Sequence, residues 1–121
     1  MQRAAQAYDA VAKQTANPRE LEADLLLSAA ARLQAIHDGW DAKLPELSAA
    51  LVYNRRLWSI FLSAAEDNNN PNSLDIRQNI ANIGVFVIKH TIEMQMDPDP
   101  KKLKTLIDIN CNIAAGLSGR R

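Results

Sequence analysis

Cysteine is almost missing from this chain: Cys111 stands alone, so no internal disulfide can form and packing must hold the fold. A single free cysteine is most often a small buried hydrophobe, which suits a reducing compartment. Glycine is equally sparse, with four residues scattered at helix ends or interiors, and none builds a phosphate-cradling loop. The two histidines, His37 and His90, have no partner at four-residue spacing, so no metal ligand motif exists and no cofactor is expected. No serine elbow is present, and the lone thiol has no evident base, so the chain does not read as an enzyme. Neither sign of charge is in excess. The 14 Lys plus Arg balance the 14 Asp plus Glu, and no long-range field draws the molecule to nucleic acid or to an acidic membrane.

Long apolar runs are lacking too. No uncharged stretch exceeds Gln78 to Ile88, about half the roughly 20 residues needed to span a bilayer, and Gln78, Asn79 and Asn82 interrupt it. The first fifteen residues carry Arg3, Asp9 and Lys13 without a continuous apolar segment, which predicts no cleavable signal and a cytoplasmic location. No segment alternates at period two for long enough to make a strand, and no internal repeat is visible.

What is present is helical punctuation. Asn17 can cap a helix with Pro18 at its first position and Glu20 at its third, and Gly39 would end it. Leu44-Pro45 opens a second helix reaching about Glu66. The polar loop Asp67 to Asn72 leads to Ser73, which caps a third helix lasting to about Met96. Asp97-Pro98-Asp99-Pro100 is a rigid turn in which Asp99 caps a fourth helix and Pro100 is its first residue. Gly116 or Gly119 would stop it. Residues 1–16, with Ala4, Ala5, Tyr8, Val11 and Ala12, form an N-terminal arm or short helix, and 17–119 form one helical domain. Short connections favour antiparallel neighbours, so the expected fold is all-α, an antiparallel four-helix bundle with that additional N-terminal element.

Helical phase assigns the faces. The first helix aligns Leu21, Leu25, Ala29, Leu33, Ile36 and Trp40 in one stripe. The second leaves a wide apolar face around Leu51, Leu57, Trp58, Phe61 and Leu62, opposite a polar arc that holds Arg55 and Arg56. The third has two apolar flanks, Ile76-Ile80-Ile83-Val87 and Leu74-Ala81-Val85-Ile88-Ile92. The fourth turns Leu103, Leu106, Ile107, Ile113, Ala114 and Leu117 inward.

Two carboxamides fall in the middle of apolar stripes, Asn54 and Asn110. A buried amide without partners costs about 1–3 kcal/mol, so these two are expected to be satisfied in one defined arrangement that sets helix register. Asn79 and Asn82, three apart, face the edge of the third helix as solvent or partner contacts. Arg55-Arg56 beside Tyr53 and Trp58 could touch RNA, but adjacent arginines on a polar arc read first as a solvated face.

Four segments in order make the chain recognisable: Asn17-Pro18-Arg19-Glu20-Leu21-Glu22-Ala23, Tyr53-Asn54-Arg55-Arg56-Leu57-Trp58, Ile76 to Gly84, and Ile109-Asn110-Cys111-Asn112-Ile113-Ala114-Ala115-Gly116-Leu117. They resemble the FlaF family of bacterial flagellar-biosynthesis regulators from about Tyr8 to Leu117. The resemblance implies a protein that acts after transcription to control flagellin production and supports flagellin secretion, opposing or partnering the translation regulator FlbT. It implies a flagellin-binding adaptor or export chaperone, whose partner would be an amphipathic terminal helix of flagellin. Two alternatives remain at this level: direct contact with flagellin messenger RNA, and a structural role in a complex with FlbT. The double flanks of the second and third helices suggest a partner groove of Tyr53, Leu57, Ile60, Val85, Ile88 and Ile92.

Overall fold

Helix propensity with well-placed stops builds four long helices in a computed structural model of the chain that describes residues 18–119. They are α1 (Pro18–Asp38), α2 (Leu47–Glu66), α3 (Leu74–Met96) and α4 (Pro100–Leu117), and no strand occurs among the described residues. The Asn17 cap, the arm over 1–16 and the Arg120-Arg121 end lie outside the described residues.

The caps follow from side-chain chemistry. The Ser73 hydroxyl accepts from the Ile76 amide at 3.3 Å, and the Asp99 carboxylate accepts from the Lys101 amide at 2.9 Å; each satisfies a donor that helix geometry leaves orphaned. Pro100 occupies the first turn, where its missing N–H costs nothing. At the far end α4 stops two residues before Gly119, whose φ of 75° lies in the left-handed region. Between α1 and α2 the chain barely unwinds: Trp40–Lys43 makes one α-turn and Leu44–Glu46 a 3-10 turn. Pro45 therefore opens the 3-10 segment, and regular α-helix begins only at Leu47.

The asparagine-rich link from α2 to α3 is structural. The Asp67 carboxylate accepts from the Asn69 amide, the Asn70 carboxamide accepts from the Asn72 amide, and Asn70 Nδ2 donates to the Ala64 carbonyl at 2.9 Å. Arg77 Nε donates to the Ala65 carbonyl at 2.7 Å, so the first turn of α3 satisfies the last turn of α2. Arg19 reaches from α1 to the Asn72 carboxamide oxygen.

The helices pack in ring order, but unequally. α1 lies most closely on α4 and α2 on α3; α1 and α2 share less, and α3 and α4 least. Ala23, Ala29 and Ala30 are buried on α1 beside Leu26, Leu33 and Ile36, and such small residues let helix axes approach. The buried stripe is thus rotated from the expected one towards Leu26 and Ala30, while Leu25 and Trp40 sit half-buried at its margin. Gly84 performs the same service between α2 and α3. A Cβ placed there would already stand 3.5 Å from the Trp58 ring and the Leu62 methyl.

At the centre lies a polar network shared by three helices. Trp58 Nε1 donates to Asn110 Oδ1 at 2.9 Å, and Asn110 Nδ2 donates to Asn54 Oδ1 at 2.7 Å, with the Leu26 carbonyl at 3.5 Å. All three side chains are fully buried. Asn110 is the hub, linking α4 to two residues of α2 and to α1. The Asn54 Nδ2 group finds no acceptor among the described residues, so the network is not saturated. α3 takes no part. Its one buried hydroxyl, Thr91 Oγ1, bonds within the helix to the Val87 carbonyl at 2.7 Å.

Leu51→Ala is expected to destabilise the protein by about 2–5 kcal/mol, as full core truncations do. Ile80→Ala, on a half-buried wall, should cost about 1–2 kcal/mol, measured by the same urea denaturation. Asn110→Leu orphans the Trp58 donor and the Asn54 acceptor together, whereas Asn54→Leu orphans one donor and removes an amine that already lacks a partner. Asn110→Leu should therefore be the more destabilising of the pair, and the reverse order would show that Asn110 is not the hub.

Candidate functional site: an open groove between two helices

The weak α3–α4 seam has a closed end and an open one. Near the α3–α4 turn it is closed by His90, whose Nε2 donates to the Lys102 carbonyl at 2.9 Å, and by buried Met94, Leu103 and Leu106. The Phe86 ring stacks on His90 with centroids 5.3 Å apart. Beyond Phe86 the helices part and an apolar groove opens between them. It consists of two adjoining depressions of about 330 and 220 Å³ that share Ile83, Asn112 and Ile113. Phe86 and Ile109 line the inner depression; Ile76, Ile80, Gly116 and Leu117 line the outer one, which ends at Arg19 on α1.

The residues explain why the groove stays open. α3 buries only Gly84, Val87, Thr91 and Met94 among its 23 residues, whereas α2 buries eight of 20. Six of the seven large apolar side chains exposed among the described residues lie on α3: Leu74, Ile76, Val85, Phe86, Ile92 and Met96. On α4 the most buried row is Leu103, Leu106, Ile107, Asn110 and Ala114, and the adjacent row Ile109, Ile113 and Leu117 is left half-covered. Two helices thus bring partly spent apolar faces to one trough.

The rim is polar and uncharged. Asn79 and Asn82 stand on the α3 edge and Asn112 on the α4 edge, all exposed. Gln78 Nε2 donates to Asn82 Oδ1 at 3.1 Å. Arg19 is the one charged side chain in the lining, and it is bonded to Asn72. Such a site offers apolar burial and amide hydrogen bonds, with no nucleophile and no acid–base pair. No group of three metal-ligating side chains gathers among the described residues, and no described helix is long and apolar enough to cross a membrane.

The groove differs from the surface that sequence periodicity favours. Leu57 is 4 % exposed and part of the main core, so it cannot be offered to a partner; the reason is that α1 and α3 both pack on α2 and cover its apolar face. Tyr53 is half-buried with the Arg32 guanidinium 5.7 Å from its ring centroid, and Ile60 and Ile88 are half-buried. Val85 and Ile92 are exposed, on the side of α3 away from α4. None of these six lines the groove. Arg55 and Arg56 are half-buried on α2. At the end of α1, away from the groove, hydrogen bonds from His37 and then Gln34 lower the Asp38 carboxyl pKa.

Sequence reasoning missed Phe86, Ile109 and Ile113 as groove residues. The available signal was the coincidence of the Ile76-Ile80-Ile83 flank and carboxamides on α3 with Ile109, Asn112 and Ile113 at matching spacing on α4.

Comparison with curated proteins and with solved structures finds no match. A family model described as flagellar protein FlaF matches residues 4–117, which takes in all four helices, the central network and every residue of the groove. The chain belongs to the FlaF family of flagellar proteins.

Proposed function

We propose that this chain is a cytoplasmic, non-catalytic binding module that holds flagellin by an amphipathic terminal helix laid in the α3–α4 groove. Holding that helix before assembly supports secretion, and the bound state is what couples flagellin supply to control of its production after transcription, in concert with FlbT. The observation that carries the reading is the groove itself: an apolar trough with an amide rim in a flagellar-family protein. An amphipathic helix sheds its aggregation-prone face by burying it in such a trough, and rim carboxamides can bond the polar margin of whichever helix enters. Rim carboxamides, which can both donate and accept, also fit tolerance of sequence variation in the guest.

Purified protein mixed with unassembled flagellin should co-elute with it, with and without RNase and from low to high salt. Apolar contact responds little to salt, while phosphate contact weakens steeply. Loss of the complex on RNase treatment would favour messenger contact instead. Ile83→Asp and Ile113→Asp should each abolish co-elution by placing a charge in the trough, with the helical circular dichroism retained. Ile92→Asp, on the far side of α3, should leave binding intact. Loss with Ile92→Asp but not with Ile83→Asp would move the site to the Val85–Ile92 side.

A further inference from the structure

α3 carries a second apolar face, which the described helices leave mostly uncovered. Leu74, Gln78, Ala81, Val85, Ile88 and Ile92 recur at alternating steps of four and three, the heptad spacing that lets one helix lie along another. They share a phase of α3 turned away from its buried residues Gly84, Val87, Thr91 and Met94. Leu74 is 70 % exposed, Val85 51 % and Ile92 47 %, so the stripe looks outward along most of the helix. It is separate from the groove, whose α3 wall of Ile76, Ile80 and Ile83 lies on the α4 side; only the rim residue Asn82 borders both.

We infer that this stripe pairs with the same stripe of a second copy of the chain, the two α3 helices running antiparallel about a twofold axis. Charge selects both the partner and the direction. Asp75 and Lys89 flank the stripe on one edge, at the same heptad position, with Asn82 midway between them. Both are exposed, and neither has an ion pair among the described residues. In an antiparallel pair like edges face each other. Matched at Asn82, each Asp75 stands against the partner's Lys89, and twofold symmetry makes the contact twice. The same register sets Leu74 on the partner's Ile92, Gln78 on the partner's Ile88 and Ala81 on the partner's Val85, so every layer of the stripe is used. Sliding by one repeat in either direction sets Asp75 or Lys89 against Asn82 and loses both ion pairs. A parallel pair would bring Arg77, Gly84 and Thr91 beside the partner's Asn82, Lys89 and Met96, with no opposite charges meeting. Exposed ion pairs add little free energy, so burial of the stripe drives the pairing and the charges fix its register. A seam of one helix from each copy is a small interface, so monomer and dimer exchange in the micromolar range.

Sedimentation of the full chain, without flagellin, tests the pairing. A dimer mass is expected at the upper end of the micromolar range, falling to the monomer on dilution, and a monomer throughout would overturn the inference. Val85→Asp should be monomeric at every concentration with its helical circular dichroism retained, while Ile83→Asp, in the groove, should dimerise as the parent does. Dimer lost with Ile83→Asp and kept with Val85→Asp would place the contact at the groove and overturn it. Asp75→Lys and Lys89→Asp should each weaken the dimer several-fold, and the two changes combined in one chain should restore it. A combined variant no tighter than the single ones would overturn the register. In a Cys111→Ala background, Ala81→Cys protein mixed with Val85→Cys protein should form a disulfide-linked heterodimer many-fold faster than either alone, because that layer brings their Cα atoms within about 7 Å. Self-linking of each variant at the same rate would show a parallel pair and overturn the antiparallel one. Should Val85→Asp unfold, the cross-linking rates and the charge exchange decide.

Discussion

The bundle depends on one buried hydrogen-bonded cluster, Trp58–Asn110–Asn54, with the Leu26 carbonyl at its edge. Apolar faces tolerate sliding and rotation, because leucine packs against leucine in many registers at similar free energy. A buried carboxamide does not, since its donors and acceptors must meet partners within a few tenths of an ångström or remain unsatisfied at about 1–3 kcal/mol each. Asn110 therefore fixes α4 against α2 and α1 at one height. Everything placed on α4, including Ile109, Asn112 and Ile113, inherits its position from that bond.

α3 is outside this constraint, and the difference shapes the molecule. It is held by apolar packing on α2 through Gly84 and Val87, by Arg77 at one end and by His90 at the other. With the other three helices pinned together, nothing draws α3 fully onto α4, and the seam stays parted along its outer half. Apolar surface is left half-covered there. In a four-helix bundle that served only itself this would be lost stabilisation at roughly 25 cal/mol per Å². Left half-covered, the same surface holds free energy that an apolar guest would gain by covering it.

Much of this was legible in the residues alone. Proline, glycine and capping side chains set all four helix starts and stops to within a few residues, because those signals act over one turn of local backbone. Asn54 and Asn110 each stood out for the same local reason, a carboxamide interrupting an apolar stripe, with each other, a carbonyl or a water all open as partners; the structure joins them to each other. The groove was less legible. Helical phase shows that a face is apolar but not which neighbour covers it, so Leu57, which is core, and Ile83, which lines the trough, look alike in sequence.

What the sequence determined by itself was the class of fold, the element boundaries, the polar pair at the centre and the family, all of which depend on spacing within a helix or on residue identity. What only the tertiary structure decided was the inequality of the seams. Whether α3 spends its two apolar flanks on neighbours depends on how α1, α2 and α4 share the space around it, and that is a property of all four helices at once. The alanines of α1 bring α4 close, the asparagine network holds it there, and the distance left between α4 and α3 makes the groove.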